Sequence, residues 1–140
     1  MPDLQPADAT IPLRLLIIDD DGVQRTVLGK VGSKAGYVVT TVATMEEAIT
    51  AIQGQRFDCI VLDLLLNGQN GMLMLGEIAR HNGGALLIII SGASEAVREQ
   101  TRALAAHQNL DAVDLPKPVD LSVLRTLLTT DLRVAQPTCA

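Results

Sequence analysis

Residues 57–63 read FDCIVLD, a short apolar run that ends in the carboxylate of Asp63. No charged side chain interrupts the run between Cys59 and Leu62. An unbroken apolar run of this length is typical of a strand that is covered on both faces, as in a parallel sheet. We therefore expect Asp63 to lie where a central strand emerges into a loop.

Three other apolar runs also end beside side chains that carry chemistry. The carboxyl ends of strands in an open parallel sheet lie along one edge, which is where such proteins bind ligands. The sequence therefore predicts that these side chains share one site with Asp63. The runs and the residues that follow them are 15–18 before Asp19, Asp20 and Asp21, 86–90 before Ser91, and 113–116 before Lys117.

The composition narrows the class of protein. The chain has 140 residues, is 48% hydrophobic and carries a formal net charge of −5. Its apolar runs are much shorter than the roughly 20 residues that a membrane helix needs, and no secretory signal is visible. We therefore expect a cytoplasmic protein without membrane attachment. Because its Lys and Arg residues are few and scattered, we expect a protein partner and no direct contact with nucleic acid.

Apolar runs alternate with amphipathic segments along the chain, and the connections between them are short. This alternation predicts an α/β fold, a three-layer doubly wound (βα)5 sandwich with a five-stranded parallel sheet. We expect this domain to cover residues 13–131, between a flexible leader at 1–12 and a flexible tail at 132–140. The predicted strands cover residues 13–18, 38–42, 58–62, 85–90 and 110–115.

Local signals place some of the connecting elements. Thr44 and Glu47 have the spacing of a capping box, which predicts a helix start after Thr44. After the central strand, the Asn and Gly residues of 67–71 predict a turn-rich loop. A helix is then expected from Met72 to His81.

The residues at the strand ends suggest one kind of chemistry. Asp19, Asp20 and Asp63 would repel one another unless a cation offset their charge, and a hard, oxygen-preferring ion such as Mg²⁺ suits such a cluster. Lys117 would add a second positive charge, and Ser91 a hydroxyl. Such surroundings suit a phosphoryl group, with the carboxylate of Asp63 as the nucleophile.

These motifs resemble the pattern of response-regulator receiver domains, the CheY-like family. That pattern has an acidic pair after strand one, an acceptor aspartate after strand three, Ser or Thr after strand four, and Lys-Pro after strand five. The matching residues, in order, are Asp19-Asp20, Asp63, Ser91 and Lys117-Pro118. The resemblance covers about residues 13–131 and implies a flavodoxin-like strand order of 2-1-3-4-5.

The resemblance also implies a role for each site residue. It implies that Asp63 is the phosphoacceptor, that Asp20 binds Mg²⁺ directly and that Asp19 acts mostly through metal-bound water. The main-chain carbonyl of Leu65 would supply a further metal ligand.

In the same pattern, the hydroxyl of Ser91 would hydrogen-bond the phosphoryl oxygen and Lys117 would pair with it. The Lys117–Pro118 peptide bond is expected to be cis, which is accessible because the second residue is proline.

The implied function is that of a signalling module rather than an enzyme, apart from catalysis of its own phosphorylation and slow dephosphorylation. The implied donor is a histidine kinase or a phosphotransfer protein. The implied recipient of the signal is a downstream effector protein or domain. A homodimer through the face of helix four, strand five and helix five is also possible in this family.

Some residues depart from the family pattern. Asp114 stands three residues before Lys117, where receivers usually carry Tyr or Phe as a rotating switch. We interpret Asp111 and Asp114 as ordinary polar positions of an edge strand. Without an aromatic switch, we expect helix four to report the state of the site.

The loop after the acceptor also departs from the pattern, because Asn67 stands where proline is usual. The interval between Ser91 and Lys117 is longer than is common in the family. In this respect the chain is similar to receivers attached to cyclic-di-GMP phosphodiesterase domains.

Two other functions are compatible with the sequence. In one, the chain is a pseudo-receiver that docks or dimerises independently of phosphorylation. In the other, it is a small Mg²⁺-dependent phosphohydrolase that uses Asp63 as a transient nucleophile. The phosphohydrolase is less favoured, because the sequence places no candidate general acid beside Asp63.

Overall fold

The computed structural model describes residues 12–130. The predicted leader at 1–12, apart from Pro12, and the predicted tail at 132–140 lie outside the described residues. None of the helices between residues 12 and 130 has the length and apolar character that crossing a bilayer requires.

Five parallel strands form the main sheet in the order β2-β1-β3-β4-β5, which confirms the predicted fold. Every residue of the third and fourth strands is buried, as expected for strands covered on both faces. The second and fifth strands form the edges. The strands are β1 (Leu13–Ile18), β2 (Tyr37–Val42), β3 (Cys59–Asp63), β4 (Leu86–Ser91) and β5 (Asp111–Pro116).

Within residues 12–130, five α-helices connect or follow the strands. Thr44 Oγ1 accepts a hydrogen bond from the N–H of Glu47 at 3.1 Å, which confirms the predicted helix start after Thr44. The Glu47 carboxylate reaches back one residue further than in a capping box and accepts a hydrogen bond from the N–H of Ala43 at 2.8 Å. These bonds satisfy two backbone donors at the helix start. The helices are α1 (Gly22–Lys34), α2 (Met45–Gly54), α3 (Leu75–Asn82), α4 (Glu95–His107) and α5 (Leu121–Thr130).

The core has one layer on each face of the sheet. Leu16 and Ile18 of β1 point to the layer that contains buried residues of α2, α3 and α4. Leu15 and Ile17, which alternate with them, point to the layer that contains buried residues of α1 and α5. The burial of both faces holds the central strands in register, and this register sets where their ends lie.

The segment after β3 differs from the predicted loop. Residues 65–70 form a small hairpin in which Leu65–Leu66 pairs with Gln69–Asn70. Its turn is Asn67-Gly68, and both residues have positive φ, at 51° and 79°. An Asn-Gly pair favours this two-residue turn because both residues tolerate the left-handed region. We refer to residues 65–70 as the site hairpin.

The start of the third helix also differs from the prediction. The sequence predicts a helix from Met72 to His81, whereas a 3₁₀ turn covers Gly71–Met74 and α3 begins only at Leu75. The cause is the return of the chain at Gly71, whose N–H donates to the carbonyl of Leu64 at 2.6 Å. A tighter turn is needed there to bring the chain away from β3.

Gly71 lies too close to the end of β3 for any side chain. A Cβ at this position would lie 2.7 Å from the carbonyl oxygen of Asp63 and 2.9 Å from Cα of Leu64. Both of these atoms are backbone, so neither can move without displacing the strand end. The glycine therefore permits the close approach that supports Asp63.

We expect Gly71→Ala to lower the free energy of unfolding by about 1–3 kcal/mol, the range for overpacking in a tight site. Gly76→Ala is the matched control, because Gly76 lies within α3 and a Cβ there has no atom within 4 Å. That change should raise the free energy by up to about 1 kcal/mol through helix propensity. Urea unfolding of both variants measures the difference. Equal stability of the two would contradict the close-approach argument.

Candidate functional site

The sheet brings the acidic residues together as predicted. Ile18 of β1 is in register with Leu62 of β3, so Asp19 and Asp63, the next residues, lie side by side at the same edge. Asp20 follows in the loop. One carboxylate oxygen from each of these three aspartates lies within 4.8 Å of the other two. Two parallel strand ends and one loop residue thus form a concentrated negative charge.

Asp19 is fully buried. Its Oδ1 accepts a hydrogen bond from the N–H of Asp21 at 2.9 Å, but its Oδ2 is buried with no hydrogen-bond partner. Burial is the largest cause that raises the pKa of Asp19 above its ordinary value, and the nearby Asp63 carboxylate raises it further. The hydrogen bond from Asp21 acts in the opposite direction. A buried carboxylate oxygen without a donor is one that a cation would satisfy.

Asp20 is exposed and links the acidic cluster to the site hairpin. Its Oδ2 accepts a hydrogen bond from the N–H of Asn67 at 2.8 Å. The side-chain amide of Asn67 also donates to the carbonyl of Ala43, at 3.4 Å. Asn67 therefore does more than replace a proline, because it ties the hairpin to the loops that follow β1 and β2.

Asp63 is buried at the centre of the site. Its Oδ1 accepts a hydrogen bond from the N–H of Leu65 at 3.0 Å, and its Oδ2 lies 2.9 Å from Nζ of Lys117. The lysine side chain is 35% exposed and that of Asp63 only 3%, so the ammonium reaches the carboxylate from the solvent side. This charge-assisted contact offsets part of the negative charge that Asp63 contributes to the cluster.

Ser91 ends β4 beside Lys117. Its hydroxyl oxygen accepts a hydrogen bond from the N–H of Ala93 at 2.8 Å. The N–H of Lys117 donates to the carbonyl of Ser91 at 2.9 Å, and the Lys117–Pro118 peptide bond is cis, as the resemblance implies. The ends of β4 and β5 are therefore joined directly next to Asp63.

A cavity of about 500 Å³ opens onto these residues and is lined by Asp63, Ser91 and Lys117 together with Leu65 and Ala93. It is large enough for a small charged group and is open to solvent. A larger cavity, of about 800 Å³, lies between α1 and β2 but contains none of the strand-end residues. The chemistry of the lining, rather than the size of the cavity, identifies the site.

The donor set fits a hard divalent cation. Three carboxylates converge, one of them with an oxygen that is buried and unbonded. Oxygen ligands of this kind suit Mg²⁺ or Ca²⁺. A cation would relieve both the repulsion among the aspartates and the cost of burying Asp19.

Asp114 is not an ordinary polar position of an edge strand, which corrects the prediction from the sequence. Its side chain is only 13% exposed, and its Oδ2 lies 3.0 Å from Nε of Arg98 and 3.1 Å from Nη1 of Arg102, both on α4. Asp111, on the same strand, is exposed as expected. The spacing of the two arginines, four residues apart, shows that they share a helix face. Their partner on β5 is not visible in the sequence.

Two further contacts that support the site were not predicted from the sequence. Gly71 was predicted only as part of the turn-rich loop at 67–71, and its close approach to Asp63 is a property of the folded chain. The link from Asn67 to Asp20 spans 47 positions of the sequence. The Asn-Gly turn signal could have predicted a hairpin, but not the carboxylate that the hairpin would contact.

Known proteins are similar to this chain in sequence. The family model "Response regulator receiver domain" matches residues 15–129. Response regulator MprA of Mycolicibacterium vanbaalenii is 32% identical over 128 residues, which cover 91% of this chain and 53% of MprA. The chain spans about half the length of the curated relatives it matches first.

Solved structures agree on the fold. A response regulator from Colwellia psychrerythraea has a TM-score of 0.71 at 26% identity, with 89% of this chain and 98% of that chain covered. A response regulator from Burkholderia pseudomallei has a TM-score of 0.73 at 22% identity, with 89% and 71% covered. That structure contains a phosphorylated aspartic acid, a calcium ion and citrate.

The family match extends over nearly all of the described fold and includes every strand whose end contributes to the acidic cavity. Members of this family are signalling domains of two-component systems and not classical enzymes. The chain belongs to the response regulator receiver domain family.

Proposed function

We propose that Asp63 accepts a phosphoryl group, in a Mg²⁺-dependent reaction, from the phosphohistidine of a histidine kinase or phosphotransfer protein. The observation that carries this proposal is the position of the Asp63 carboxylate. It lies within 4.8 Å of carboxylate oxygens of Asp19 and Asp20, accepts a hydrogen bond from the ammonium of Lys117 and lines a cavity open to solvent. A carboxylate nucleophile beside both a cation site and the Lys117 ammonium suits the transfer of a phosphoryl group, whose oxygens carry negative charge.

Receiver domains bind Mg²⁺ at an acidic pocket, and the cluster described above fits that role. In our proposal Asp20 binds the ion directly, Asp19 acts mostly through metal-bound water, and Asp63 and the main-chain carbonyl of Leu65 complete the protein ligands. When bound, Mg²⁺ supplies positive charge that offsets the phosphoryl oxygens.

The protein side chains would carry the rest of the reaction. A carboxylate oxygen of Asp63 forms a bond to phosphorus while the bond from phosphorus to the donor imidazole nitrogen breaks. The imidazole leaves with the electron pair and takes a proton from solvent. Lys117 moves its hydrogen bond from the carboxylate to a phosphoryl oxygen. Ser91, whose hydroxyl oxygen now accepts a hydrogen bond from the N–H of Ala93, donates a hydrogen bond to another phosphoryl oxygen.

A donor protein has an apolar surface to contact beside the site. A cavity of about 540 Å³ lies between α1 and the loop that precedes α5, and Lys117 is part of its lining. Val23, Val27 and Leu121, which also line it, are exposed large apolar side chains. A partner bound at this surface would hold its phosphohistidine near Lys117, which suits the proposed donor.

The output of the proposed reaction is a shift in an existing conformational equilibrium of the face formed by α4, β5 and α5. That face would bind a downstream effector protein or domain, or a second copy of the chain. A cyclic-di-GMP phosphodiesterase domain as the effector stays a prediction. The alternative, a pseudo-receiver that docks without phosphorylation, uses the same fold but leaves the chemistry of Asp63 unused.

We expect incubation with acetyl phosphate and Mg²⁺ to add one phosphoryl group to the chain and none to Asp63→Asn, because an amide is a poor nucleophile at phosphorus. Intact-mass spectrometry measures the product. Asp111→Asn is the matched control, since it removes an exposed aspartate of β5 and should leave the gain unchanged.

Two results would count against the proposal. A gain in mass that persists in Asp63→Asn would place the phosphoryl group elsewhere. No gain in the wild-type chain, with either acetyl phosphate or a phosphorylated phosphotransfer protein as donor, would favour the pseudo-receiver.

We expect Asp19→Asn to raise the free energy of unfolding of the metal-free chain at neutral pH. Burial raises the pKa of Asp19 in the folded chain, so stability falls as the pH rises from the unfolded to the folded pKa and stays lower above it. Asparagine removes this cost and keeps an oxygen for the N–H of Asp21. Thermal unfolding in a metal chelator measures the change.

The same variant should lose part of the stabilisation by Mg²⁺, which in the wild-type chain amounts to about 2.7 kcal/mol for a bound ion at 100 times its Kd. Asp111→Asn again serves as the control and should keep the wild-type response to Mg²⁺. An unchanged response in Asp19→Asn would show that Asp19 has no part in metal binding.

Self-dephosphorylation should be slow. Leu65 and Ala93 stand two residues after Asp63 and Ser91 and line the same cavity, and neither side chain can hydrogen-bond a water molecule. We expect the double variant Leu65→Asn/Ala93→Glu to lose phosphate faster, by less than the roughly 10²–10⁴-fold of a positioned acid–base group. The decay of the phosphorylated mass after removal of acetyl phosphate measures the rate.

Leu73→Asn is the matched control for the leucine, because Leu73 is exposed at 70%, similar to Leu65 at 62%, but lies outside the lining of the cavity. It should leave the decay rate unchanged. If the double variant decays no faster than the wild-type chain, water positioning does not limit the lifetime.

A further inference from the structure

A continuous series of contacts connects Ser91 with Asp114 on β5. The hydroxyl oxygen of Ser91 accepts a hydrogen bond from the N–H of Ala93 at 2.8 Å. The carbonyl of Ala93 accepts one from Nη1 of Arg98 at 3.0 Å. Nε of the same guanidinium lies 3.0 Å from Oδ2 of Asp114. Arg98 therefore contacts both the loop that follows β4 and the strand β5. We refer to residues 91–93 as the Ser91 loop.

The contact between Arg98 and Asp114 is largely removed from solvent. Their side chains are 21% and 13% exposed. The Nε–H is not aligned as a hydrogen bond, so the contact is one between charges. Partial burial makes such a contact stronger and less screened by salt than one on the surface. If either partner is removed, the other remains mostly buried without its partner's charge.

Arg102 gives the Asp114 carboxylate a second cationic partner. Its Nη1 lies 3.1 Å from the same Oδ2 of Asp114. Asp114 can therefore keep a cationic partner while Arg98 moves. Glu95 contacts the guanidinium of Arg98 from the exposed side of α4. The arginine is thus held at three points, of which only the one at Ala93 reports the state of the Ser91 loop.

We propose that Arg98 is a positioning residue that couples the Ser91 loop to α4, and that Asp114 anchors it. This inference rests on the proposed phosphorylation of Asp63. When the Ser91 hydroxyl turns toward the phosphoryl group, the loop at 91–93 follows and displaces the carbonyl of Ala93. Arg98 keeps its bond to that carbonyl only by changing its contact with Asp114, and this change moves the first turns of α4.

Amide hydrogen exchange with and without acetyl phosphate and Mg²⁺ tests the coupling. In the wild-type chain, phosphorylation should change the exchange rates of residues 93–102. In Arg98→Gln and Asp114→Asn, this change should be smaller by about 2- to 30-fold, the usual range for a residue within a coupling network. Intact mass, recorded in parallel, should still show the phosphoryl group on each variant.

Two controls separate positioning from a structural role. Asp111→Asn removes an exposed carboxylate of the same strand and should respond like the wild-type chain. Arg98→Lys keeps a positive charge opposite Asp114, but one ammonium cannot reproduce the two-sided contact of the guanidinium. It should recover the stability lost in Arg98→Gln without recovering the exchange response. Recovery of both would mean that only the charge matters and would overturn the proposal.

The outcomes for the wild-type chain and the variants are distinguishable. A wild-type chain that gains no phosphoryl group contradicts the proposed function itself. A phosphorylated wild-type chain whose exchange response is unchanged in Arg98→Gln and Asp114→Asn overturns only the coupling through Arg98. If a single variant unfolds, the double variant Arg98→Met/Asp114→Leu replaces the pair by apolar side chains, which proteins often tolerate. It should fold, accept phosphate and lack the response.

Discussion

Repulsion among Asp19, Asp20 and Asp63 is the constraint around which this site is built. Three carboxylates share one end of the sheet, and one of them is fully buried. The free energy that opposes this arrangement must be offset by the rest of the fold. The two apolar layers of the core supply the offsetting free energy, because they bury both faces of the central strands. Their packing also holds the strand ends at fixed positions.

The surrounding loops are held by the same charges. Asp19 takes a hydrogen bond from the start of α1, Asp20 takes one from the site hairpin, and Asp63 is bonded on both oxygens, to the N–H of Leu65 and to Lys117. Each carboxylate thus orders a different segment. A change in charge at the centre of the site therefore reaches several loops at once, which is what a signalling domain requires.

The contact of α4 with β5 involves a position at which this chain has a charged residue and the family usually has an aromatic one. The resemblance places an aromatic residue where Asp114 stands, and an aromatic side chain acts there through packing. Asp114 instead binds two arginines of α4 through charge. A charge contact requires a partner of opposite charge, so the two helix positions 98 and 102 become as important as the strand position.

The sequence by itself determined the sheet and most of the site. Unbroken apolar runs at β1, β3 and β4 require burial on both faces, and the residues that end them must then share one edge. The caps of the helices are equally local, as Thr44 and Glu47 show. Local signals of this kind involve residues only a few positions apart, so the pattern of the chain contains them.

Only the tertiary structure decided the contacts between distant segments. The bond from Asn67 to Asp20, the approach of Gly71 to Asp63 and the pairing of Asp114 with Arg98 each depend on where separate elements come to rest. Periodicity records which face of an element is buried, but it does not record which polar side chain the neighbouring element places opposite. Which polar side chains meet depends on distances of a few ångströms between neighbouring elements. These distances are set only when the two core layers have formed.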